Sequence, residues 1–240
     1  MSISWRRIRA IERKEFREYS RNRSVVVTMA IFPLIFLVQP LVVLLRIPAS
    51  AAASLGQEHL LLYMLAIPVL VPAALAASAV TGERQQGTLE PALSTPIRRE
   101  EFILGKALAA LVPSIAIAYV IYAIFVACAV VLTAPGVASA ILRGPDLLAQ
   151  VLFTPVLALW SIWVGLAIST RSSDVRVAQQ LSLLGCLPVF FLTSLIAFDV
   201  IPASLWLGVG LGVVLLLADA LGWRFVSGLF DRERLITGTR

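Results

Sequence analysis

The chain has 240 residues, 59% of them hydrophobic and only 14% charged, with 20 Lys and Arg against 14 Asp and Glu for a formal net charge of +6. Soluble domains average about 45–50% apolar and about 25% charged residues, so this composition excludes an ordinary globular enzyme and points to a chain that crosses the bilayer repeatedly. The basic excess reads as topology and contact with anionic headgroups; no aromatic-and-basic stripe or recognition motif accompanies it, and no nucleic-acid partner is expected.

Residues 1–23 are too charged to span. At about 100° per residue, Trp5, Ile8, Ile11, Phe16 and Tyr19 gather on one side of a helical wheel and Arg6, Arg7, Arg13, Lys14, Arg17 and Arg21 on the other. This pattern predicts an amphipathic helix in the membrane interface, its aromatics in the acyl boundary and its arginines toward phosphates. Glu12 and Glu15 interrupt the apolar face.

Six apolar tracts follow, at residues 24–45, 60–80, 107–133, 147–169, 177–198 and 203–223. Each reaches the ~20 residues that a helix needs to cross the hydrocarbon layer. Helices satisfy every backbone group internally, and the alternating short strands of a barrel are absent from the sequence. The first tract is followed by Ala49-Ser50-Ala51, which resembles a signal-cleavage site, but the tract exceeds the about 7–15 apolar residues of a signal peptide and reads as a retained span. Eighteen of the twenty basic residues fall on one side of this arrangement; Arg46 and Arg143 alone fall on the other. The positive-inside rule then places both termini in the cytoplasm. The expected organisation is an interfacial helix at 1–23, a six-span domain at 24–223 and a cytoplasmic tail at 224–240.

The outer connections, at residues 46–59, 134–146 and 199–202, are too short for a domain. Glu58 and His59 at the outer mouth read as caps of the second span. Cys128 and Cys186 lie inside spans and read as small apolar fillers. No clustered Cys and His suggests a metal site. Asp219, about one turn from the cytoplasmic end of the last span, is the one candidate intramembrane polar site: either an ion- or proton-linked carboxylate, or one that snorkels or pairs with a nearby arginine.

The polar segment at residues 81–106, TGERQQGTLEPALSTPIRREEFILGK, is the densest in information. Its Gly82 and Gly87 have phosphate-loop spacing, but Thr88 stands where the lysine belongs, so no nucleotide binding is expected of this chain. It reads as a short helix from Glu83 toward Leu93, then an N-cap at Thr95 with Pro96 first in a helix that continues into the third span. Glu100 and Glu101 read as a solvated face.

This segment resembles the signature of the membrane subunits of type 2 ABC exporters, with the matching positions Glu83, Gly87, Thr88, Leu89, Glu90, Thr95, Pro96, Gly105 and Lys106. The tail FDRERL, residues 230–235, the six spans and the basic amphipathic N-terminus are similar to that family as well; the short connection between spans five and six departs from it. The resemblance implies an all-α integral membrane permease of the prokaryotic plasma (inner) membrane, with a cytoplasmic coupling helix between spans two and three. It implies a translocation path between two permease subunits, identical or similar, and docking of separate ATP-binding cassette ATPases at Glu83, Gly87, Thr88, Leu89, Glu90, Thr95 and Pro96. ATP-Mg would then be bound by the partner ATPase and no cofactor by this chain. Two other readings stay open on the residues alone: a secondary transporter driven by an ion gradient through Asp219, and a non-transporting membrane assembly protein.

Overall fold

A computed structural model of the chain describes residues 3–46, 59–89 and 97–229, and among these it contains helices and no strand. The helices are α1 (Trp5–Arg21), α2 (Arg23–Arg46), α3 (Leu60–Tyr63), α4 (Ala66–Gln85), α5 (Arg99–Leu132), α6 (Pro135–Ile141), α7 (Gly144–Arg171), α8 (Val175–Ala197) and α9 (Leu205–Leu229). Six of them (α2, α3 joined to α4, α5, α7, α8 and α9) are long and apolar enough to cross a membrane. The protein is therefore an all-α, six-span membrane protein.

The element ends differ from the sequence expectation in informative ways. The second span breaks at Met64 and Leu65, a turn between α3 and α4. The same span continues through Glu83 to Gln85, so Glu83 ends a membrane helix rather than starting a separate one. The third span begins at Arg99 with Arg98 as its N-cap; Thr95 and Pro96, expected to form that cap, lie outside the described residues, as do Glu58, Glu90 and the FDRERL segment. At ~1.5 Å per residue, the 34 residues of α5 extend about 51 Å, well beyond the ~30 Å hydrocarbon layer. Its first turns therefore project beyond the bilayer. Residues 224–229, assigned to a tail, continue α9.

The bundle is built around α4. Its side chains from Ala66 to Val80 are buried almost without interruption, because α2, α5, α7 and α8 all pack on it. The closest neighbour is α7, where Ser161, Gly165 and Ser169 recur every fourth residue and so share one face. A Cβ on Gly165 would stand 2.7 Å from both the Ala73 carbonyl oxygen and the Ala76 Cβ. Small residues on both helices let the backbones approach, the usual basis of helix association in lipid. By contrast α9 buries little beyond Asp219 and Val226, and packs mainly on α7.

The end that carries Arg46 and Arg143 is closed by aromatic and polar contacts. Phe36 of α2 meets Tyr63 of α3 and Phe190 of α8 at centroid distances of 5.5 and 6.0 Å. His59, expected to cap the second span, makes no side-chain cap; its Nδ1 lies 2.9 Å from Asp146 at the start of α7, and its backbone N–H donates to the Ala197 carbonyl at the end of α8.

Candidate functional site

The opposite, arginine-rich end carries the candidate site, a junction of α1, α4, α5 and α7. Its centre is Lys106, about two turns into α5 and fully buried. A buried ammonium requires paired acceptors. Lys106 Nζ donates to Glu15 Oε1 of α1 at 2.8 Å and to the Ala79 carbonyl of α4 at 2.6 Å, and lies 3.3 Å from Glu83 Oε1. The Phe102 ring, one turn earlier on α5, lies 5.0 Å from the same nitrogen. Lys14 of α1 closes the set from the outside, hydrogen-bonded to Glu83 and 3.3 Å from Glu18. Burial lowers the affinity of Lys14 for its proton, but the bond to Glu83 and the charges of Glu83, Glu15 and Glu18 outweigh this and raise its pKa above the ordinary 10.5. Two lysines thus face two buried glutamates, and three helices share one ionic junction.

Each partner is placed by its own element. Ile8, Ile11, Glu15 and Tyr19 repeat at three- and four-residue spacing and form the buried face of α1, which packs on α5. Gly105, immediately before the lysine, admits this helix: a Cβ there would stand 2.7 Å from the Ile11 Cβ. A second tie holds the start of α1. Glu101, fully buried, accepts hydrogen bonds from the Ser4 amide at 2.8 Å, from Arg7 at 3.2 Å and from the Arg98 amide at 3.1 Å. The carboxylate read as solvated is therefore a capping acceptor shared by two helices. Glu100 alone is exposed.

The other side of α4 is tied to the end of α7. The Val80 and Thr81 amides each donate to Ser169 Oγ at 3.0 Å, and Thr81 Oγ1 donates to the Ser169 carbonyl at 2.9 Å. Arg84 donates to the Ser172 and Thr170 carbonyls at 2.7 and 3.0 Å. A cation on the last carbonyls of a helix satisfies orphan acceptors and complements the dipole.

α4 then stops in a Schellman turn. Gly87 is left-handed with φ 68°, its amide donates to the Arg84 carbonyl at 3.2 Å, and the Thr88 amide reaches back to Glu83 at 2.9 Å. This explains the glycine of the motif: only a residue without a Cβ adopts that conformation freely.

The structure thus divides the expected coupling residues. Gly87 and Thr88, with Gln85 and Gln86, are exposed, whereas Glu83 and Leu89 are buried in the bundle. Within the chain Glu83 is held by Lys14 and Lys106, and Arg84 donates to the end of α7. Glu90, Thr95 and Pro96 lie outside the described residues. Of the interfacial residues, Ile8 and Tyr19 face α5 and the neighbouring junction rather than lipid, Phe16 is half-buried and Trp5 is 70% exposed. Asp219 is buried, and neither carboxylate oxygen has a hydrogen-bond partner among the described residues. The expectation that it snorkels or pairs with an arginine is not met there; Arg224 is exposed.

Among the described residues the chain is a bundle of six apolar spans with a buried ionic junction at one end and an exposed glycine turn between spans two and three. The sequence model of the family described as ABC-2 family transporter protein matches residues 9–205, most of the chain. The chain belongs to that family and is a membrane subunit of an ABC transporter. A comparison with curated protein sequences found no significant match.

Proposed function

We propose that this chain is the permease subunit of an ABC exporter. Two such subunits, identical or similar, enclose the path, and separate ATP-binding cassette ATPases drive it from the arginine-rich end. The observation that carries the reading is the exposed turn at residues 85–88, which ends the most enclosed span of a chain in the ABC-2 family. A displacement applied at that turn enters α4 directly, and α4 touches four other spans. The arginine-rich end is cytoplasmic by the charge rule, in the inner membrane of a prokaryote. The chain itself hydrolyses nothing and holds no cofactor; ATP-Mg is bound by the partner. Exposed span surfaces are apolar, which suits an amphipathic or lipid-like cargo over an ion.

The test is reconstitution of the chain with its ATPase in liposomes. ATP-driven flux is expected with the native chain, no ATP hydrolysis by the chain alone, and loss of flux or of ATPase binding in Gly87→Val, where the Cβ meets open space but the backbone is strained. Flux that follows an ion gradient and ignores ATP would overturn the reading in favour of a secondary transporter. Normal flux in Gly87→Val would remove the turn from the coupling path.

A further inference from the structure

We infer that the outward face of α1 is a binding site for the phosphates of anionic phospholipids, with Arg13, Arg17 and Arg21 as ligands. The charges of α1 divide into two sets. Arg7 pairs with Glu101, and Lys14 with Glu83 and Glu18. Arg13, Arg17 and Arg21 are exposed, and among the described residues none of the three has a carboxylate within ion-pair distance. Their four-residue spacing sets them in one row, along a shallow groove completed by Ala10, Lys14 and Glu18. Glu18 is already engaged by Lys14 at 3.3 Å. The row is therefore open to a counter-charge from outside the described chain.

Connectivity places that counter-charge in the bilayer. Asn22 alone separates Arg21 from α2, a span whose apolar run starts at Val25. Arg21 must then stand where the hydrocarbon begins, at headgroup depth, with Arg17 and Arg13 about 6 and 12 Å further along the helix. The apolar face of α1, with Ile8, Ile11 and Tyr19, is buried in the bundle, chiefly against α5. Trp5, exposed, and Phe16, half-buried, lie on the flank between the buried face and the arginines, the position of an aromatic anchor at headgroup level. The planar guanidinium fork matches a phosphate bidentately, and a basic cluster next to a span is attracted to a leaflet with net negative charge. Because Glu15 of the same helix grips Lys106, the lipid acts on the junction at which α4 and α5 meet. The inference rests on the six-span placement and not on the coupling role of the turn.

The experiment uses the full chain in phosphatidylcholine nanodiscs with a trace of fluorescent phosphatidylglycerol or fluorescent phosphatidylcholine, read by energy transfer from tryptophan. Each basic residue at an anionic surface contributes up to about fivefold, so three contribute about a hundredfold unscreened; about tenfold preference for phosphatidylglycerol is expected at physiological salt. Arg13→Gln/Arg17→Gln/Arg21→Gln should reduce this to near unity, with an unchanged melting temperature in neutral detergent. Lysine at the same three positions should restore most of it. Arg171→Gln/Arg176→Gln/Arg224→Gln, which removes exposed charge from the same end, should leave it in place. The inference is overturned if the glutamine triple keeps the preference, if the control triple abolishes it equally, or if the glutamine triple loses the ATPase partner while keeping the lipid.

Discussion

Replacing Lys106 by Met should loosen α1 and lower the stability of the bundle. The substitution keeps the length of the side chain and removes its charge. It leaves Glu15 and Glu83, 2% and 4% exposed, without their central cation, and it leaves the Ala79 carbonyl without the donor that lay at 2.6 Å. Removing one partner of a buried pair costs about 3–5 kcal/mol. The lower end applies, because Lys14 stays hydrogen-bonded to Glu83 and lies 3.8 Å from Glu15. About 3 kcal/mol corresponds to a fall in Tm of roughly 6–12 °C for a chain of this size. The assay is thermal unfolding in detergent followed with a thiol-reactive dye, for which the fully buried Cys186 is a native reporter. The double variant Lys106→Met/Glu15→Met removes both members of the Lys106–Glu15 pair, and replacing a whole buried pair by apolar groups is often neutral. It should recover most of the loss, with a coupling of about 2 kcal/mol between the two sites. If the single variant melts with the native chain, or if the double variant is no more stable than the single one, Lys106 does not hold the junction together.

Gly165→Ala should be worse than an ordinary overpacking change of about 1–3 kcal/mol, because the new Cβ meets the Ala73 carbonyl oxygen at 2.7 Å and a backbone cannot rotate away; the yield of folded protein from size exclusion checks this. Gly105→Ala meets only the Ile11 side chain, so its loss in Tm should be smaller and should be recovered in Gly105→Ala/Ile11→Ala. Alkaline pH should release α1. Burial, with the charges of Glu15, Glu18 and Glu83, pushes the Tyr19 phenol well above its ordinary 10.0, and Lys14 is raised above 10.5. Docked α1 therefore holds protons that undocked α1 gives up, so docking is at full strength at neutral pH and weakens as pH rises past about 10. Limited proteolysis of the N-terminus across that range should show the release, and Tyr19→Phe should reduce it.

The spans were legible because the signal is compositional: about twenty apolar residues in a row need no knowledge of neighbours. The third span also read as one helix with the segment before it, although it starts at Arg99 and runs through Gly105 and Pro113. The junction was not legible. Glu15 looked like a flaw in an apolar face, and the residue that makes it a proper occupant, Lys106, lies 91 positions away. Glu101 looked solvated because adjacent acids on a helix diverge, yet its partners Ser4 and Arg7 come from the far end of the chain, 97 and 94 positions off. The burial of Glu83 and Leu89 was not legible either, because a motif records which residues recur and not which way they face. Gly87 was placed within a helix running from Glu83 toward Leu93, whereas it ends the preceding span in a left-handed turn, whose cue, a glycine after Gln85-Gln86, is local.

The ties around α4 constrain how the subunit can move. At its arginine-rich end α4 is bound on one side to α1 and α5 through Glu83 and Lys106, and on the other to α7 through Thr81 and Arg84. Along its length the backbone meets α7 at Gly165 with no room for a methyl group. A pair packed that closely has few alternative registers, since interiors at such density switch between discrete arrangements and do not deform smoothly. If the proposed ATPase pushes at residues 85–88, these ties would displace α1, α4, α5 and α7 together at this end. The relative motion has to be taken up where packing is thin. That is at α9, which buries little beyond Asp219 and Val226 and packs mainly on α7. A cross-link between α4 and α7 should accordingly leave transport intact, whereas one that fixes α9 to α7 should stop it.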